Sequence, residues 1–258
     1  MILNKKDIIR EDGQDTQFRS IFISDIHLGT KYAKGDELLE FFRYTTSQNL
    51  YLVGDIIDGW AIRRKVSWAQ NQSDVIQKIL RKARKGTNVY YLVGNHDEFL
   101  RGFLPLSLGH SMQVVDELEY ISLKGDRYLV IHGDFFDDIT VNKKWLALLS
   151  DRVYSWLLGI SETFTKIRRY LGIRSTWSLS QAIEDNVKKS IKYIENFEIV
   201  LSAHAKRYEY YGVICGHIHR PAIREIDGIK YLNTGDWVEN CTAIVETMEG
   251  EFRLVKWE

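Results

Sequence analysis

With 258 residues, 45% hydrophobic and 27% charged, the chain is long enough to bury a core without disulfides or a structural metal, and too apolar to stay disordered. Lys plus Arg and Asp plus Glu both number 35, which argues against a general nucleic-acid binder. Two cysteines give no disulfide framework, the first residues form no leader-like apolar region, and no run reaches the ~18 apolar residues of a spanning helix, so a soluble cytoplasmic protein is expected.

In chain order, Arg19 to Ser24 reads as a short buried strand running into Asp25-Ile26-His27. The same arrangement recurs at Leu50 to Asp55 and at Val89 to Asp97, where β-branched and aromatic runs end in Gly and then polar residues. Helices are predicted between these strands, over Asp36 to Thr46 and Ser67 to Lys85. Strand and helix alternating at this spacing make an α/β domain with a mainly parallel sheet, whose ligands bind at the C-terminal strand ends. Further strands are predicted at Tyr120 to Leu123, Tyr128 to Asp134 and Tyr211 to His219, then in IKYLNTGDW, TAIVET and EFRLVKW, with KGD, IDG and MEG as hairpin turns. This part reads as more antiparallel.

Between the two strand-rich parts, about residues 138–207 read as a helical insertion into a single domain spanning 1–258. Val141, Trp145, Leu149, Val153, Trp156 and Ile160 share one helix face. Ser178 with Gln181 resembles a capping box opening a second long helix, whose stripe is Ile183, Val187, Ile191, Ile194 and Leu201. The basic runs at Arg63-Arg64 and Arg81 to Lys85 read as ordinary solvated faces.

Five short loops concentrate metal-capable side chains: Asp25-Ile26-His27, Gly54-Asp55, Gly94-Asn95-His96-Asp97, His132-Gly133-Asp134 and Gly216-His217-Ile218-His219. Five of the seven histidines lie in them, each directly after a hydrophobic strand. In Asp25-x-His27 and His217-x-His219, extended backbone would turn the first and third side chains to one face, toward one centre or two adjacent ones. Glycines 54, 94, 133 and 216 leave the chain room to turn close to a metal cluster. Imidazole, carboxylate and amide oxygen without thiolate suit Mn, Fe, Zn or Ni and fit a structural Cys-type zinc site poorly.

The series D-x-H, G-D, G-N-H-D, H and G-H-x-H, in this order and spread over both halves of the chain, resembles the calcineurin-like metallophosphoesterase superfamily. The resemblance implies a four-layer αββα sandwich with a helical cap insertion and a dinuclear centre at the strand ends. It implies that Asp25, His27 and His219 hold one divalent ion, that Asn95, His132 and His217 hold the other, and that Asp55 bridges both, with Mn the expected metal. It assigns His96 to the leaving-group side of the phosphate, with Asp97 orienting it. Asp134 and Asp236 are expected to support ligating histidines.

SDIHLG, LYLVGDIIDGW, GNHDEF, HGD, GHIHRP and NTGDW are similar to the UDP-2,3-diacylglucosamine pyrophosphohydrolase-like branch, a bacterial group that makes lipid X and UMP from a lipid A precursor. That resemblance implies a nucleotide-linked acylated sugar as substrate. After its motif Asn the chain carries His96, as general phosphoesterases do, so another nucleotide or phosphoester is the alternative substrate. Trp145, Leu149 and Trp156 would offer an apolar groove, and Lys166, Arg168, Arg169 and Arg174 a basic rim for a diphosphate or for the inner membrane surface of a bacterium. The same apolar stripes would equally serve a homodimer or internal packing.

Overall fold

The computed structural model describes residues 2–136 and 179–257, with side chains in the last long helix from Ile191 onward. The chain divides into two compact units, Met1–Asp134 with Leu201–Glu258, and Phe135–Val200.

In the first unit the strands are β1 (Ile2–Asn4), β2 (Thr16–Ile23), β3 (Thr45–Val53), β4 (Asn88–Leu92), β5 (Leu106–Ser107), β6 (Met112–Val115), β7 (Glu117–Ile121) and β8 (Arg127–Ile131). They are followed by β9 (Gly212–Cys215), β10 (Ala222–Ile226), β11 (Ile229–Asn233), β12 (Thr242–Glu246) and β13 (Phe252–Lys256). The helices are α1 (Lys5–Ile8), α2 (Gly35–Tyr44), α3 (Gly59–Arg64) and α4 (Gln70–Arg84).

An eight-stranded sheet runs β1-β13-β12-β2-β3-β4-β6-β5, and a five-stranded sheet runs β10-β11-β9-β8-β7. Strands β2, β3, β4 and β6 pair in parallel, as the alternation of strand and helix requires. The C-terminal part does not form a sheet of its own. Strands β10 and β11 pair antiparallel, β11, β9 and β8 run parallel, and β12 leaves to pair antiparallel with β2, Ile244 facing Phe22.

Side-chain alternation builds two cores. Ile21, Ile23, Leu50, Leu52, Val89 and Tyr91 point outward to Leu38, Phe41 and Phe42 of α2 and Val75 and Ile79 of α4. Phe22, Tyr51, Val53 and Leu92 point the other way and meet Tyr120, Tyr128, Val130, Ile214 and Leu232 of the smaller sheet. The chain is thus α/β, with two facing sheets and helices over the larger one. Phe22 stacks on Tyr51 at 4.5 Å between ring centroids and meets Tyr120 edge-on at 5.1 Å. Phe22→Ala is expected to cost about 3–5 kcal/mol, read as a lower denaturant midpoint at an unchanged slope. A loss under about 1 kcal/mol would contradict this inter-sheet core.

Helix α5 (Leu179–Arg207) runs from the second unit into the first. In the second unit it buries Tyr193, Ile194 and Phe197, whereas Ile191, expected on the buried stripe, is exposed. Ile194 and Leu201 of the expected stripe are buried, so the apolar face lies where it was expected and Ile191 alone falls outside it among the stripe residues whose side chains are described. In the first unit Leu201 and Ala205 are fully buried, and Lys206 Nζ donates to Asp227 O in the β10–β11 turn. Among the described residues no helix is long and apolar enough to cross a membrane. Trp145, Leu149, Trp156, Lys166, Arg168, Arg169 and Arg174 lie outside the described residues.

Candidate metal centre

Three loops leaving the parallel strands are laced together by their backbones. Asp25 N donates to Gly54 O, Ile26 N and His27 N to Asp55 O, and Asp58 N to Leu28 O, so the loop after β2 continues alongside the loop after β3. Gly59 N donates to His96 O, which docks the loop after β4 on the same place. Gly216 N donates to His132 O, and Trp237 N to Asp25 O, bringing in the loops after β8, β9 and β11.

Close approach requires glycine here. A Cβ at Gly94 would fall 2.7 Å from Asp55 N and 2.8 Å from the His132 ring. Gly54, at φ +82°, lies directly against the His132 imidazole.

The two D-x-H and H-x-H pairs converge, but by a different backbone from the extended one expected. Asp25, His27, His217 and His219 have φ of 52°, 52°, 70° and 51°, and Asp55 has 55°. Left-handed backbone at the first and third residues turns both side chains to one side, while Ile26 and Ile218 between them are buried. Five non-glycine residues in this sparsely populated region at one locus are strain held by surrounding structure, a common feature of functional sites.

The ligand-type atoms fall into overlapping groups. Those of Asp25, His27 and His219 lie within 4.8 Å of one another, as do those of Asp55, His132 and His217, and those of His27, Asp55 and His96. Asp55 stands in the middle, its Oδ2 3.4 Å from His132 Nε2 and 3.9 Å from both His27 Nε2 and His96 Nε2.

Two observations test whether this set fits divalent cations. Asp25 Oδ1, His27 Nε2, Asn95 Oδ1 and His132 Nε2 are all buried without a hydrogen-bond partner, although burying an unsatisfied polar atom is costly. The other side-chain polar atoms of Asp25, His27 and His132 are engaged. Ser24 Oγ donates to Asp25 Oδ2, His217 N donates to the same oxygen at 3.0 Å, and His132 Nδ1 lies at 2.8 Å from Val53 O, which leaves its Nε2 free to ligate.

Electrostatics agree. Burial alone would lower the His132 and His219 pKa values, yet the Asp55 carboxylate drives His132 well above the ordinary histidine range, and Asp25 drives His219 up to about 9. Burial opposes ionisation of Asp25, which His219 nonetheless holds at about 2, and Asp55 is likewise held well below its usual value by His132. A pocket whose imidazoles gather protons to balance buried carboxylates is short of positive charge, and divalent cations supply it.

The group beside His96 is Asp58, not Asp97. Asp58 Oδ2 lies 3.0 Å from His96 Nδ1 and 3.2 Å from His27 Nδ1, and Oδ1 accepts from Ala61 N at the start of α3. Burial notwithstanding, those two histidines hold the Asp58 pKa well below its usual value. The Asp97 carboxylate turns inward, accepting from Ile56 N at 2.9 Å, Tyr91 OH at 2.6 Å and Gly94 N. It ties the loops together and does not face His96.

Asp134 pairs with Arg101 at 2.7 Å instead of supporting a histidine. Asp236 accepts from Val238 N and Asn240 Nδ2 and stands 3.9 Å from His219 Nδ1. Asp58 and Trp60, whose ring lies 4.3 Å from that of His96, were not marked by the motifs. The spacing Asp55-x-x-Asp58 before a short helix was the available hint.

Facing sheets with imidazoles and carboxylates gathered at the parallel strand ends form a candidate divalent-metal site. The profile of the calcineurin-like phosphoesterases matches residues 18–221, and the chain belongs to that family. It is 28% identical to a UDP-2,3-diacylglucosamine hydrolase of Haemophilus influenzae, over 92% of this chain and 98% of that one. To a protein of the same name from Shewanella baltica it is 26% identical, over 90% and 95%. A solved structure of a hypothetical protein from Pyrococcus horikoshii has a TM-score of 0.50 at 11% identity, covering 94% of this chain and 88% of that one, a likeness of fold.

Proposed function

We propose that the chain hydrolyses the pyrophosphate of UDP-2,3-diacylglucosamine to 2,3-diacylglucosamine 1-phosphate and UMP, with two divalent ions bound at the strand ends. The observation that carries the dinuclear reading is Asp55, whose carboxylate lies between the unpartnered Nε2 atoms of His27 and His132. In this reading Asp25, His27 and His219 hold one ion, Asn95, His132 and His217 the other, and Asp55 bridges them. The family resemblance favours manganese, and the mixed imidazole, carboxylate and amide set also suits Fe, Zn or Ni. Bound there, the ions supply Lewis-acid stabilisation of phosphoryl charge and activation of the attacking water. The relatives' names support the substrate.

The chain's own groups then position and protonate. His96, with its side chain about a quarter exposed, presents Nε2 to the substrate side while Asp58 fixes Nδ1. Water adds its oxygen to one phosphorus, the bond from that phosphorus to the bridging oxygen breaks, and His96 stabilises or protonates the departing oxygen. The sequence pattern supports Trp145, Leu149 and Trp156 for acyl chains, and Lys166, Arg168, Arg169 and Arg174 for the diphosphate at a bacterial inner-membrane surface.

A second reading, hydrolysis of another nucleotide or phosphoester, is favoured by His96 itself, the residue of general phosphoesterases at this place. The experiment is product identification by mass spectrometry with UDP-2,3-diacylglucosamine, UDP-N-acetylglucosamine and a chromogenic phosphodiester under one metal condition. UMP with the acylated sugar phosphate, formed fastest from the acylated compound, is expected. Equal or faster turnover of the unacylated substrates would replace the first reading with the second.

A further inference from the structure

The opposite end of the large sheet holds a second concave site. A cavity of about 460 Å³ opens where α2 and α4 end and β3 and β4 begin, lined by Arg43, Lys78, Arg81, Lys82 and Lys85 with Thr45, Ser47 and Thr87 among its neutral groups. Its volume lies in the range of small-molecule sites. From Thr45 to Val53 the strand spans about 26 Å at ~3.3 Å per residue, so this cavity is separate from the metal centre.

Helical spacing concentrates the charge. Lys78, Arg81, Lys82 and Lys85 follow steps of three and four, so the end of α4 and its C-cap residue Lys85 turn all four to one face. Five cations face one carboxylate, that of Asp15, in a chain whose charges otherwise balance. None of the five forms an ion pair among the described residues. The C-termini of α2 and α4 offset about half a charge each, leaving an excess of about three positive charges.

The run at Arg81 to Lys85 is therefore not simply a solvated face. Lys82 is buried, donating to Thr45 O at 2.7 Å with its ammonium 5.2 Å from the Phe42 ring centre. Burial and the neighbouring Lys78 pull its pKa down to about 8, so its positive charge is under-compensated. A buried hydroxyl oxygen, Ser47 Oγ, has no hydrogen-bond partner on the cavity wall.

We infer that this cavity binds a multivalent phosphate anion, a free oligophosphate or the phosphorylated headgroup of an anionic lipid, through Arg43, Lys78, Arg81, Lys82 and Lys85. Three or more negative charges would match the excess, and lysine and arginine are the side chains suited to phosphate oxygens. The inference stands independently of the substrate proposed for the metal centre.

The test titrates the zinc-loaded full chain with tripolyphosphate and follows backbone amide resonances. Saturable shifts at Ser47, Gly86 and Thr87 are expected, weakened at least about tenfold in Lys78→Ala/Arg81→Ala, while turnover of a small phosphodiester stays unchanged. Lys85→Glu, on the exposed rim, gives the same readout should the double variant fail to fold. Flotation with vesicles carrying phosphatidylinositol bisphosphate, whose headgroup bears phosphomonoesters, and with pure phosphatidylcholine vesicles separates the two sources. Variant-sensitive binding to the anionic vesicles alone assigns the headgroup, and amide shifts without vesicle binding assign the free anion. No shift at the cavity amides together with no vesicle binding, or equal affinity in wild type and variants, overturns the inference.

Discussion

Asp55→Asn is expected to lower kcat by on the order of 10³-fold or more and to release metal, because one carboxylate would serve both ions. Asn is the informative replacement. It retains an oxygen that can accept the bond now made by His96 N at 2.8 Å, so the loop keeps its anchor while the charge is removed. Asp55 is almost completely buried, and Ala in its place would leave that amide donor unsatisfied and confuse folding with chemistry. Chelation of the wild type should reproduce the loss, and added Mn should restore the wild type but not the variant. Elemental analysis should find fewer ions per chain in the variant while its far-UV circular dichroism matches that of the wild type. Two retained ions with undiminished turnover would end the bridging assignment.

What could be read from the sequence was whatever short-range pattern controls. Ile21 and Ile23 alternate with Phe22, so β2 was visible as a strand with two buried faces, and the side chains that follow it had to emerge at a sheet end. The same holds for β3 and β4, which is why Asp25, His27, Asp55, Asn95 and His96 could be grouped before any coordinates. Long-range pairing was not visible. The β12–β13 hairpin was legible from its turn, but nothing local says that Ile244 seeks Phe22 in place of a strand of the smaller sheet.

Side-chain direction was the other hidden quantity. His96 and Asp97 are adjacent in sequence, and adjacency suggested partnership. In the structure the two diverge, Asp97 into the loop junction and His96 toward the cluster, where the turn of residues 55–58 delivers Asp58. The left-handed backbone at Asp25, His27, Asp55, His217 and His219 was equally silent, since Asp and His carry no obligatory mark of it as glycine does. Both misreadings come from treating a tightly folded loop as if it continued the strand.

The division of labour between His96 and Asp58 leads to the second large effect. His96→Ala should lower kcat by about 10²-fold with both metals retained, since a removed transition-state interaction costs turnover and not metal occupancy. Asp58→Asn should act differently, because Asp58 Oδ2 stands near Nδ1 of His27 as well as Nδ1 of His96. Loss of that carboxylate frees two imidazole rings at once, one proposed to hold metal and one proposed to meet substrate. Weaker metal binding by roughly 10- to 100-fold is expected in Asp58→Asn, on top of reduced kcat at saturating metal. If Asp58 acts on turnover only through His96, adding Asp58→Asn to His96→Ala should lower kcat little further at saturating metal, while still weakening metal binding. Asp97→Asn supplies the contrast. Its carboxylate accepts from Ile56 N, Gly94 N and Tyr91 OH, so its loss should lower the denaturant midpoint more than Asp58→Asn does. Fully additive kcat losses in the double variant at saturating metal would show that Asp58 does not position His96, and tight metal binding in Asp58→Asn that it does not position His27.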